Sequence, residues 1–212
     1  IKDMQKMIIL AGPTAVGKTR LSIELAKAVG GEIISADSMQ VYRHMDIGTA
    51  KIKPGQMQGI PHHMIDILEP WEPFNVVAFK EKCERCLQDI YEKGHLPIVT
   101  GGTGFYIQAL LRDINFTEND EDMEYRDRLE KLAAEEGADR LHEMLREVDP
   151  DAADAIHANN IRRTIRALEY FHLTGEQISR HNETEREKPP AYDFCYFVLN
   201  DDRGRLYVQI ER

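Results

Sequence analysis

Along the first 114 residues, short apolar runs alternate with amphipathic stretches, and the two periodicities predict strands and helices in turn. The predicted strands cover residues 7–11, 32–36 and 96–100, and the predicted helices cover residues 18–29, 76–93 and 105–111. Prolines and glycines interrupt residues 37–75, which we expect to form a long loop. Strand–helix alternation of this kind builds a parallel sheet that is covered by helices on both faces.

A different pattern begins near residue 115, and no good strand pattern follows until residue 190. The amphipathic stretches there predict helices at 123–136, 138–147, 159–173 and 176–183. Gly175 stands where the third of these helices should end, and Pro189-Pro190 closes the segment.

The end of the chain returns to a strand pattern. Residues 193–199 are apolar enough for a buried strand, and an amphipathic helix begins at 206–210 with no terminator after it. We therefore expect further chain to follow in the intact protein. The predicted fold class is α/β: a core of residues 1–114 and 191–212 whose parallel sheet is flanked by helices, and an all-helical insertion domain of residues 115–190.

The net charge of −10 argues at first sight against a nucleic-acid partner. However, residues 115–157 carry 15 acidic and 5 basic side chains, so the acidity is concentrated in one segment. A basic face elsewhere therefore remains compatible with the composition.

The chain contains no run of about 18 apolar residues, so no membrane span is predicted. We also expect no signal peptide, because the first strand pattern begins almost at once.

The three cysteines, Cys83, Cys86 and Cys195, fit free thiols in a reducing, cytoplasmic setting. Cys83 and Cys86 form a C-x-x-C pair, which could indicate a redox or zinc site. The alternative is an apolar helical stripe made of Phe79, Cys83, Leu87 and Ile90. We favour the stripe, because no second C-x-x-C and no paired histidines complete a zinc site.

Residues 12–19 match the phosphate-binding loop pattern G-x-x-x-x-G-K-[ST]. The loop consists of Gly12, Pro13, Thr14, Ala15, Val16, Gly17, Lys18 and Thr19. Its glycines let backbone N–H groups converge on phosphate oxygens, and the following helix directs its positive dipole end at the same anion. Lys18 adds a point charge, and the hydroxyl of Thr19 is placed to ligate Mg²⁺. The loop makes the core P-loop-type, but it does not specify which phosphate is bound or which reaction follows.

Ligands of open α/β sheets bind outside the carboxyl ends of the strands, and two segments point to that edge. Asp37 directly follows the second strand, where it could ligate Mg²⁺, act as a general base or simply cap a turn. The glycine-rich turn at 101–104 permits close backbone approach to a ligand, and Thr103 could donate a hydrogen bond; the alternative is a tight strand-to-helix turn. The third strand ends without the acid of a Walker B pattern, which argues against an ATPase motor or a GTPase.

Three arginines, Arg162, Arg163 and Arg166, lie in one predicted helix, and no acid occurs between residues 159 and 168. Arg162 and Arg166 are four positions apart and therefore share a face. A solvated face is the usual explanation of such a pattern, but unpaired arginines beside an acidic segment favour contact with phosphate or RNA. No role is assigned to His62, His63 and Trp71, which we expect to pack within the long loop.

Four segments together resemble the tRNA dimethylallyltransferases, also called tRNA isopentenyltransferases. They are GPTAVGKT at 12–19, IISADSMQVYRHMDIGTAK at 33–51, GGTGFYIQALL at 101–111 and HANNIRRTIRALEYFHLTG at 157–175. Each segment alone is moderately specific, but the set occurs in order across both predicted domains and is very specific. The chain departs from the family by ending where the family continues with further helices, including an arginine-bearing segment near the active site.

The resemblance implies transfer of a dimethylallyl group from dimethylallyl diphosphate to the exocyclic amine of the adenosine on the 3′ side of the tRNA anticodon, with release of pyrophosphate. It implies that the loop of residues 12–19 binds diphosphate rather than ATP, and that Lys18, Thr19 and Mg²⁺ stabilise the leaving group. Asp37 matches the family's catalytic aspartate, and Thr14 matches a position near the diphosphate. The family's tRNA-contacting positions are matched by Asp37, Ser38, Met39, Gln40, Thr103, Arg126, Arg162, Arg163, Thr164, Ile165 and Arg166. The adenosine would be flipped out of its stack, while the insertion domain would hold the anticodon stem.

Three other functions remain open from the sequence. A small-molecule phosphoryl kinase of the P-loop class would share the phosphate loop, although its ATP lid would need arginines where residues 115–157 are acidic. An adenylate isopentenyltransferase would prenylate a free nucleotide, and the arginine-bearing insertion disfavours it. A non-catalytic module would bind RNA without turnover. We expect a cytoplasmic monomer that does not associate with membranes.

Overall fold

Five parallel strands form one sheet in the computed structural model, which describes residues 4–113, 123–202 and 204–206. The strands are β1 (Lys6–Ala11), β2 (Gly31–Ser35), β3 (His62–His63), β4 (Leu96–Gly101) and β5 (Asp193–Val198), in the order β3-β2-β4-β1-β5. The helices between them are α1 (Lys18–Val29), α2 (Val76–Glu92) and α3 (Gly104–Leu111), with a short 3₁₀ helix at Pro54–Gln56. The α/β class is confirmed, and the predicted strands and helices of the first 114 residues lie within one residue of these bounds.

Alternation of side chains along each strand gives the sheet two apolar faces. Ile9, Ile34 and Val99 pack with α2 and α3 on one face. Ile33 and Ile98, which directly precede Ile34 and Val99 in their strands, pack with α1 on the other face. The predicted stripe of α2 is also confirmed, since its buried residues are Phe79, Cys83, Leu87 and Ile90. The strands therefore serve as the central layer between two helical layers.

Two strands differ from the sequence prediction. β3 lies within the predicted loop and pairs only His62 and His63 with β2, which is too short for an alternating pattern to be recognised. The prediction that the last strand is buried is wrong: Tyr196, Phe197 and Val198 in β5 are 43%, 52% and 67% exposed. Among the described strands, β5 pairs with β1 alone, so an apolar sequence at this edge does not lead to burial.

The three loop residues to which the sequence assigns no role, His62, His63 and Trp71, differ in how far they pack within the fold. His62 bonds through Nδ1 to the carbonyl oxygen of Ile60 at 2.8 Å, and His63 bonds through Nε2 to Glu32 at 2.6 Å. Both histidines therefore pack within the fold as expected. Trp71 is 79% exposed, so the same expectation is wrong for this residue.

The chain divides into two compact units, one of residues 1–114 with 190–212 and one of residues 115–189. The described part of the second unit contains α4 (Met123–Glu136), α5 (Ala138–Val148), α6 (Pro150–Ala155), α7 (Ile161–Thr174) and α8 (Ile178–Glu187). The four predicted helices are confirmed, and α7 ends at Gly175 as predicted. The helix predicted to begin at 206–210 lies outside the described residues apart from Leu206. No helix in the described ranges combines the length and the apolar character needed to cross a membrane.

α6 is absent from the sequence prediction, because six residues give no clear periodicity. Pro150 lies in its first turn, and Asp149 caps it by accepting the N–H of Ala152 at 3.1 Å. Asp149 is 1% exposed and also accepts hydrogen bonds from the N–H and hydroxyl of Ser179, at 2.9 and 2.6 Å. One buried carboxylate therefore connects the start of α6 to α8.

Candidate active site

The phosphate-loop residues connect β1 to α1, as the motif predicts. Gly12 has a φ of +149°, and a Cβ at this position would lie 2.5 Å from the carbonyl oxygen of Leu199. Leu199 in turn donates its N–H to the carbonyl of Ala11 at 2.8 Å. Backbone conformation and space both exclude a side chain at Gly12, so the start of the loop requires glycine.

Lys18 lies over this loop. Its Nζ donates to the carbonyl oxygens of Gly12 at 2.8 Å and Pro13 at 2.5 Å. Burial lowers the pKa of Lys18 below its usual value, and the nearby carboxylate of Asp37 opposes that shift. Thr19 is exposed at the start of α1. The ammonium thus holds hydrogen bonds that phosphate oxygens can accept in place of the two carbonyls.

Asp37 combines a structural contact with access to a ligand. Its Oδ1 accepts the backbone N–H groups of Met39 at 2.8 Å and Gln40 at 3.3 Å. This is the turn cap that the sequence left open as an alternative to a chemical role. The two roles are compatible, because Asp37 also acts electrostatically on Lys18. Within the described residues no hydrogen bond reaches Oδ2, so the cap orients the carboxylate and leaves one oxygen available.

Glycines bring the ends of β1, β2 and β4 together. A Cβ on Gly101 would overlap the carbonyl oxygen of Ala36, so β4 can approach β2 this closely only with glycine there. A Cβ on Gly102 would lie 3.7 Å from the carbonyl oxygen of Gly12. Thr103 then precedes α3 without capping it through its side chain. The phosphate loop, the turn after Ala36 and the glycine-rich turn therefore meet at the carboxyl edge of the sheet.

Sequence reasoning missed a cluster of aromatic side chains around Tyr106, which interacts electrostatically with Asp37. The ring of Tyr106 stacks on Phe79 at 4.6 Å and meets Phe74 edge-on at 5.9 Å. Phe74 in turn meets Tyr42 at 6.5 Å. Burial raises the pKa of Tyr106, and Tyr42 and the carboxylate of Asp37 raise it further. The sequence could have indicated Tyr106, because it lies in the first helical turn after the glycines. No local sequence pattern indicates its ring contacts with Phe79 and Phe74 or the contact of Phe74 with Tyr42.

The turn after the aspartate carries the next three positions that match tRNA contacts. Met39 is 42% exposed, and Ser38 is half-buried. The side chain of Gln40 is engaged inside the protein: Oε1 accepts the hydroxyl of Ser35 at 3.0 Å, and Nε2 donates to the carbonyl of Thr49 at 3.1 Å. Gln40 therefore ties the turn to the end of β2 and to a later part of the loop.

Thr19 and Asp37 supply the oxygen donors that this edge offers to a magnesium ion. In the described ranges, no group of three or more His, Cys, Asp or Glu side chains is arranged to hold a metal. Mg²⁺ commonly takes one or two protein ligands and completes its shell with phosphate oxygens and water. The donor set therefore fits an ion that arrives with a phosphate group.

The C-x-x-C pair is explained by the helix stripe. Cys83 is buried in α2 and Cys86 lies beside it, and both are free thiols. Burial raises the pKa of both thiols, most strongly for Cys83. Thiols of this kind are poor nucleophiles and poor metal ligands, which agrees with the stripe.

Arg126 on α4 forms a two-point ion pair with Glu169 on α7. Its Nε lies 3.0 Å from Oε1, and its Nη2 lies 3.2 Å from Oε2. The side chain of Glu169 is 6% exposed and that of Arg126 is 30% exposed. Bidentate pairs of this geometry are strong and specific. The arginine that matches a tRNA-contacting position therefore also holds two helices of the second unit together.

The arginines of α7 form an exposed face, as predicted. Arg162, Arg163 and Arg166 are exposed, whereas Thr164 and Ile165 are 0% and 3% exposed and pack into the core of the unit. None of the three arginines has an ion-pair partner within the described part of the chain. Two of them lie in the first turn, where the helix dipole is already positive and no acid compensates it. Such a face favours an anionic ligand.

Comparison with known proteins identifies one family. The family model described as IPP transferase matches residues 40–212, and the one described as isopentenyl transferase matches residues 5–69. A tRNA dimethylallyltransferase of Lachnoclostridium phytofermentans is 62% identical over 208 residues, which make up 98% of this chain and 66% of the relative.

Two solved structures are also similar. The full-length tRNA isopentenylpyrophosphate transferase from Bacillus halodurans is 44% identical with a TM-score of 0.63, over 97% of this chain and 63% of that one. A eukaryotic dimethylallyltransferase, captured acting on tRNA, is 33% identical with a TM-score of 0.81, over 97% of this chain and 50% of that one. The chain thus spans between 50% and 66% of the length of these three proteins. It belongs to the IPP transferase family, the tRNA dimethylallyltransferase family that its four motifs resemble.

Proposed function

We propose that the protein transfers a dimethylallyl group from dimethylallyl diphosphate to the exocyclic amine of the adenosine on the 3′ side of the tRNA anticodon, and releases pyrophosphate. Family membership supports this, since the relative from Lachnoclostridium phytofermentans is named a tRNA dimethylallyltransferase. The observation that carries the proposal is the meeting of the phosphate loop, the turn that begins after Ala36 and the glycine-rich turn: a Cβ on Gly101 would overlap the carbonyl oxygen of Ala36, and a Cβ on Gly102 would lie 3.7 Å from that of Gly12. Transfer from a diphosphate to an amine needs a base and a diphosphate site within reach of each other.

The loop of residues 12–19 is the proposed diphosphate site. Its N–H groups and Lys18 would bind the phosphate oxygens, with Lys18 giving up its bonds to the carbonyls of Gly12 and Pro13. Thr14 would lie beside the diphosphate. Thr19 would help to hold a magnesium ion, which would supply further neutralisation of the leaving group's charge. The bond broken is then carbon–oxygen, so the loop serves a prenyl donor instead of ATP.

Asp37 is the proposed general base. The adenine nitrogen attacks the first carbon of the allyl group while the carbon–oxygen bond to the diphosphate breaks, and Asp37 accepts the proton that the amine loses. Oδ2 is available for this step, and the backbone N–H groups of Met39 and Gln40 fix the carboxylate through Oδ1. Because a stacked base hides its amine, the adenosine must be flipped out of the anticodon loop first.

We propose two kinds of tRNA contact. The first kind surrounds the flipped nucleotide and comes from Thr103 and from the turn of Ser38, Met39 and Gln40. These residues adjoin the proposed general base, Asp37, and the phosphate loop. The segment of residues 162–166 binds the backbone of the anticodon stem, because its arginines present positive charge to solvent. We further propose that the protein acts as a monomer in the cytoplasm, where its three free thiols stay reduced.

The proposal is tested by incubating the intact protein with labelled dimethylallyl diphosphate, Mg²⁺ and unmodified tRNA. We expect label in the tRNA. Asp37→Asn should lose about 100-fold or more in kcat, the scale of a lost general base, while it still binds tRNA. Asp89→Asn, which changes an exposed carboxylate of α2, is the matched control and should keep the wild-type rate.

Three results would contradict the proposal, one for each alternative. ATP consumption with a small acceptor and no label in tRNA would indicate a kinase. Preference for AMP over tRNA as acceptor would indicate an adenylate isopentenyltransferase. Binding of tRNA without transfer by the wild-type protein would indicate a non-catalytic RNA-binding module.

A further inference from the structure

Lys51 carries a buried charge within the loop-rich residues 37–75. Its side chain is 3% exposed. Nζ donates to the carbonyl of Tyr42 at 2.6 Å, to Asp46 Oδ1 at 2.9 Å and to Asp66 Oδ1 at 2.6 Å. All three N–H bonds of the ammonium are therefore used. Burial alone would lower the pKa of Lys51, but hydrogen bonds to Asp66 and Asp46 raise it above the usual value. We call these four residues the Lys51 cluster.

The Lys51 cluster joins two stretches of chain that run side by side. They are linked by Asp66 N to Gln40 O at 3.1 Å, Ile67 N and Leu68 N to Val41 O at 2.8 and 3.0 Å, and Arg43 N to Leu68 O at 2.8 Å. The pairing is a single isolated bridge between Tyr42 and Leu68, so no long ladder supports it. Lys51 spans the bridge, because it bonds to Tyr42 on one side and to Asp66 on the other.

The first of these stretches continues directly from the proposed base. Asp37 caps the turn that ends at Gln40, and Gln40 is the first residue of the paired stretch. The side-chain amide of Gln40 connects Ser35 at the end of β2 to Thr49, two residues before Lys51. A continuous set of hydrogen bonds therefore runs from the buried ammonium to the turn that orients the carboxylate.

The backbone around the Lys51 cluster adopts left-handed conformations at non-glycine residues. The φ angles are +64° at His44, +50° at Ala50 and +53° at Asp66. Such angles are unfavourable for residues with a Cβ and persist only where surrounding contacts impose them. Ala50 adjoins Lys51, and Asp66 is one of its partners, so the ammonium lies where this conformation has to be held.

We propose that Lys51 is a positioning residue: it holds residues 40–43 against 66–68 and thereby fixes the turn that carries Asp37. A neutral side chain at this position leaves two carboxylates facing each other and the carbonyl of Tyr42 without its donor. The two stretches, which Arg43 also joins through the carbonyl of Asp66 and the carboxylate of Glu69, are then held less firmly, and the carboxylate of Asp37 is directed less firmly as a result. The effect on turnover rests on the proposed function, whereas the fixing of the turn does not.

The first test compares Lys51→Met with Lys53→Met in the intact protein by amide hydrogen exchange. Lys53, two residues after Lys51, is exposed, so Lys53→Met removes the same charge at a surface position. In Lys51→Met we expect faster exchange at residues 39–43 and 66–68, with wild-type rates in β1 and α1. Lys53→Met should match the wild-type protein throughout. Unchanged exchange at 39–43 and 66–68 in Lys51→Met would overturn the proposal.

The second test separates positioning from a loss of folded protein. In Lys51→Met, kcat with tRNA should fall about 10–100-fold, the scale of a small misplacement of a catalytic group. The KM for dimethylallyl diphosphate and the stoichiometry of magnesium-pyrophosphate binding should stay at wild-type values. Lys51→Arg should recover only part of the lost rate, because a guanidinium keeps the charge and the donors but not the compact shape of the ammonium.

An unchanged kcat in Lys51→Met, or a fall in pyrophosphate-binding stoichiometry that matches the fall in kcat, contradicts the positioning role. If the wild-type protein transfers no prenyl group, the proposed function fails, and the exchange rates alone then decide whether Lys51 fixes the turn.

Discussion

The carboxylate of Glu32 should make the stability of the α/β unit depend on pH. Glu32 lies in β2 and is 1% exposed. Its Oε1 bonds to Nδ1 of His95 at 2.7 Å, and its Oε2 bonds to Nε2 of His63 at 2.6 Å. Nζ of Lys93 lies 3.3 Å from both oxygens. Glu32→Gln keeps the shape of the side chain and removes its charge, so it isolates the contribution of the ionised group.

The magnitude follows from the pKa of Glu32. Burial alone would raise this pKa, but hydrogen bonds from His95, His63 and Lys93 hold it at about 2, below its usual value of 4.5. Because the folded protein has the lower pKa, the ionised carboxylate stabilises the fold above pH 4.5, and this stabilisation is lost as the pH falls towards 2. The difference corresponds to about 3 kcal/mol at neutral pH, of which about 1 kcal/mol remains near pH 3.

Urea unfolding of the wild-type protein and Glu32→Gln, followed by circular dichroism at neutral pH and near pH 3, measures this effect. Hydrogen exchange in β2 assigns the change to the α/β unit. Glu24→Gln is the control, since Glu24 is 60% exposed and pairs with Lys27 at 3.5 Å on the surface of α1. Such a pair contributes at most about 1 kcal/mol. A difference between the wild-type protein and Glu32→Gln that is the same at both pH values would refute the reasoning.

Three further changes test other parts of the structure. Gly12→Ala should abolish binding of magnesium-pyrophosphate in a calorimetric titration, whereas Gly55→Ala, where a Cβ meets open space, should bind normally; equal binding would contradict the close packing of the loop. Asp149→Ala should lower the free energy of unfolding of the second unit by about 2–3 kcal/mol, because three donors lose a buried acceptor. Arg162→Ala and Arg166→Ala should each weaken tRNA binding and reduce the slope of log K against log salt by about 1. Unaltered slopes would contradict the proposed contact of these arginines with RNA.

Local periodicity accounts for the elements that the sequence predicted well. The bounds of α1 and α2 follow from repeating apolar positions, and the phosphate loop is recognisable because its donors are consecutive. β3 could not be predicted in this way, since its two residues become a strand only by pairing with β2. The burial of β5 was misjudged because apolar content does not report where a strand lies in a sheet, and β5 lies at an edge of the described strands.

Within each unit, several contacts of the candidate residues depend on partners far apart in the chain. Lys51 looks like an ordinary loop lysine until Asp66, 15 residues later, is placed beside it. Arg126 matches a tRNA-contacting position in sequence, but its pairing with Glu169 spans 43 residues and has no local signature. The segment that carries Asp37 could therefore be found by motif, while the side chains that fix it could be found only in three dimensions.

Thr100 stands at the end of β4, where a Walker B acid would be expected. It lies beside Leu10 of β1 and Ser35 of β2, and its buried hydroxyl has no hydrogen-bond partner within the described residues. A carboxylate there would add negative charge at the same edge of the sheet as Lys18, whose ammonium already interacts electrostatically with Asp37. With a neutral threonine, the carboxylate that acts electrostatically on Lys18 comes from the end of β2 instead. The positive charge of the phosphate loop is then not opposed by a further carboxylate at the end of β4, which favours a ligand that brings its own negative charge, as a diphosphate does.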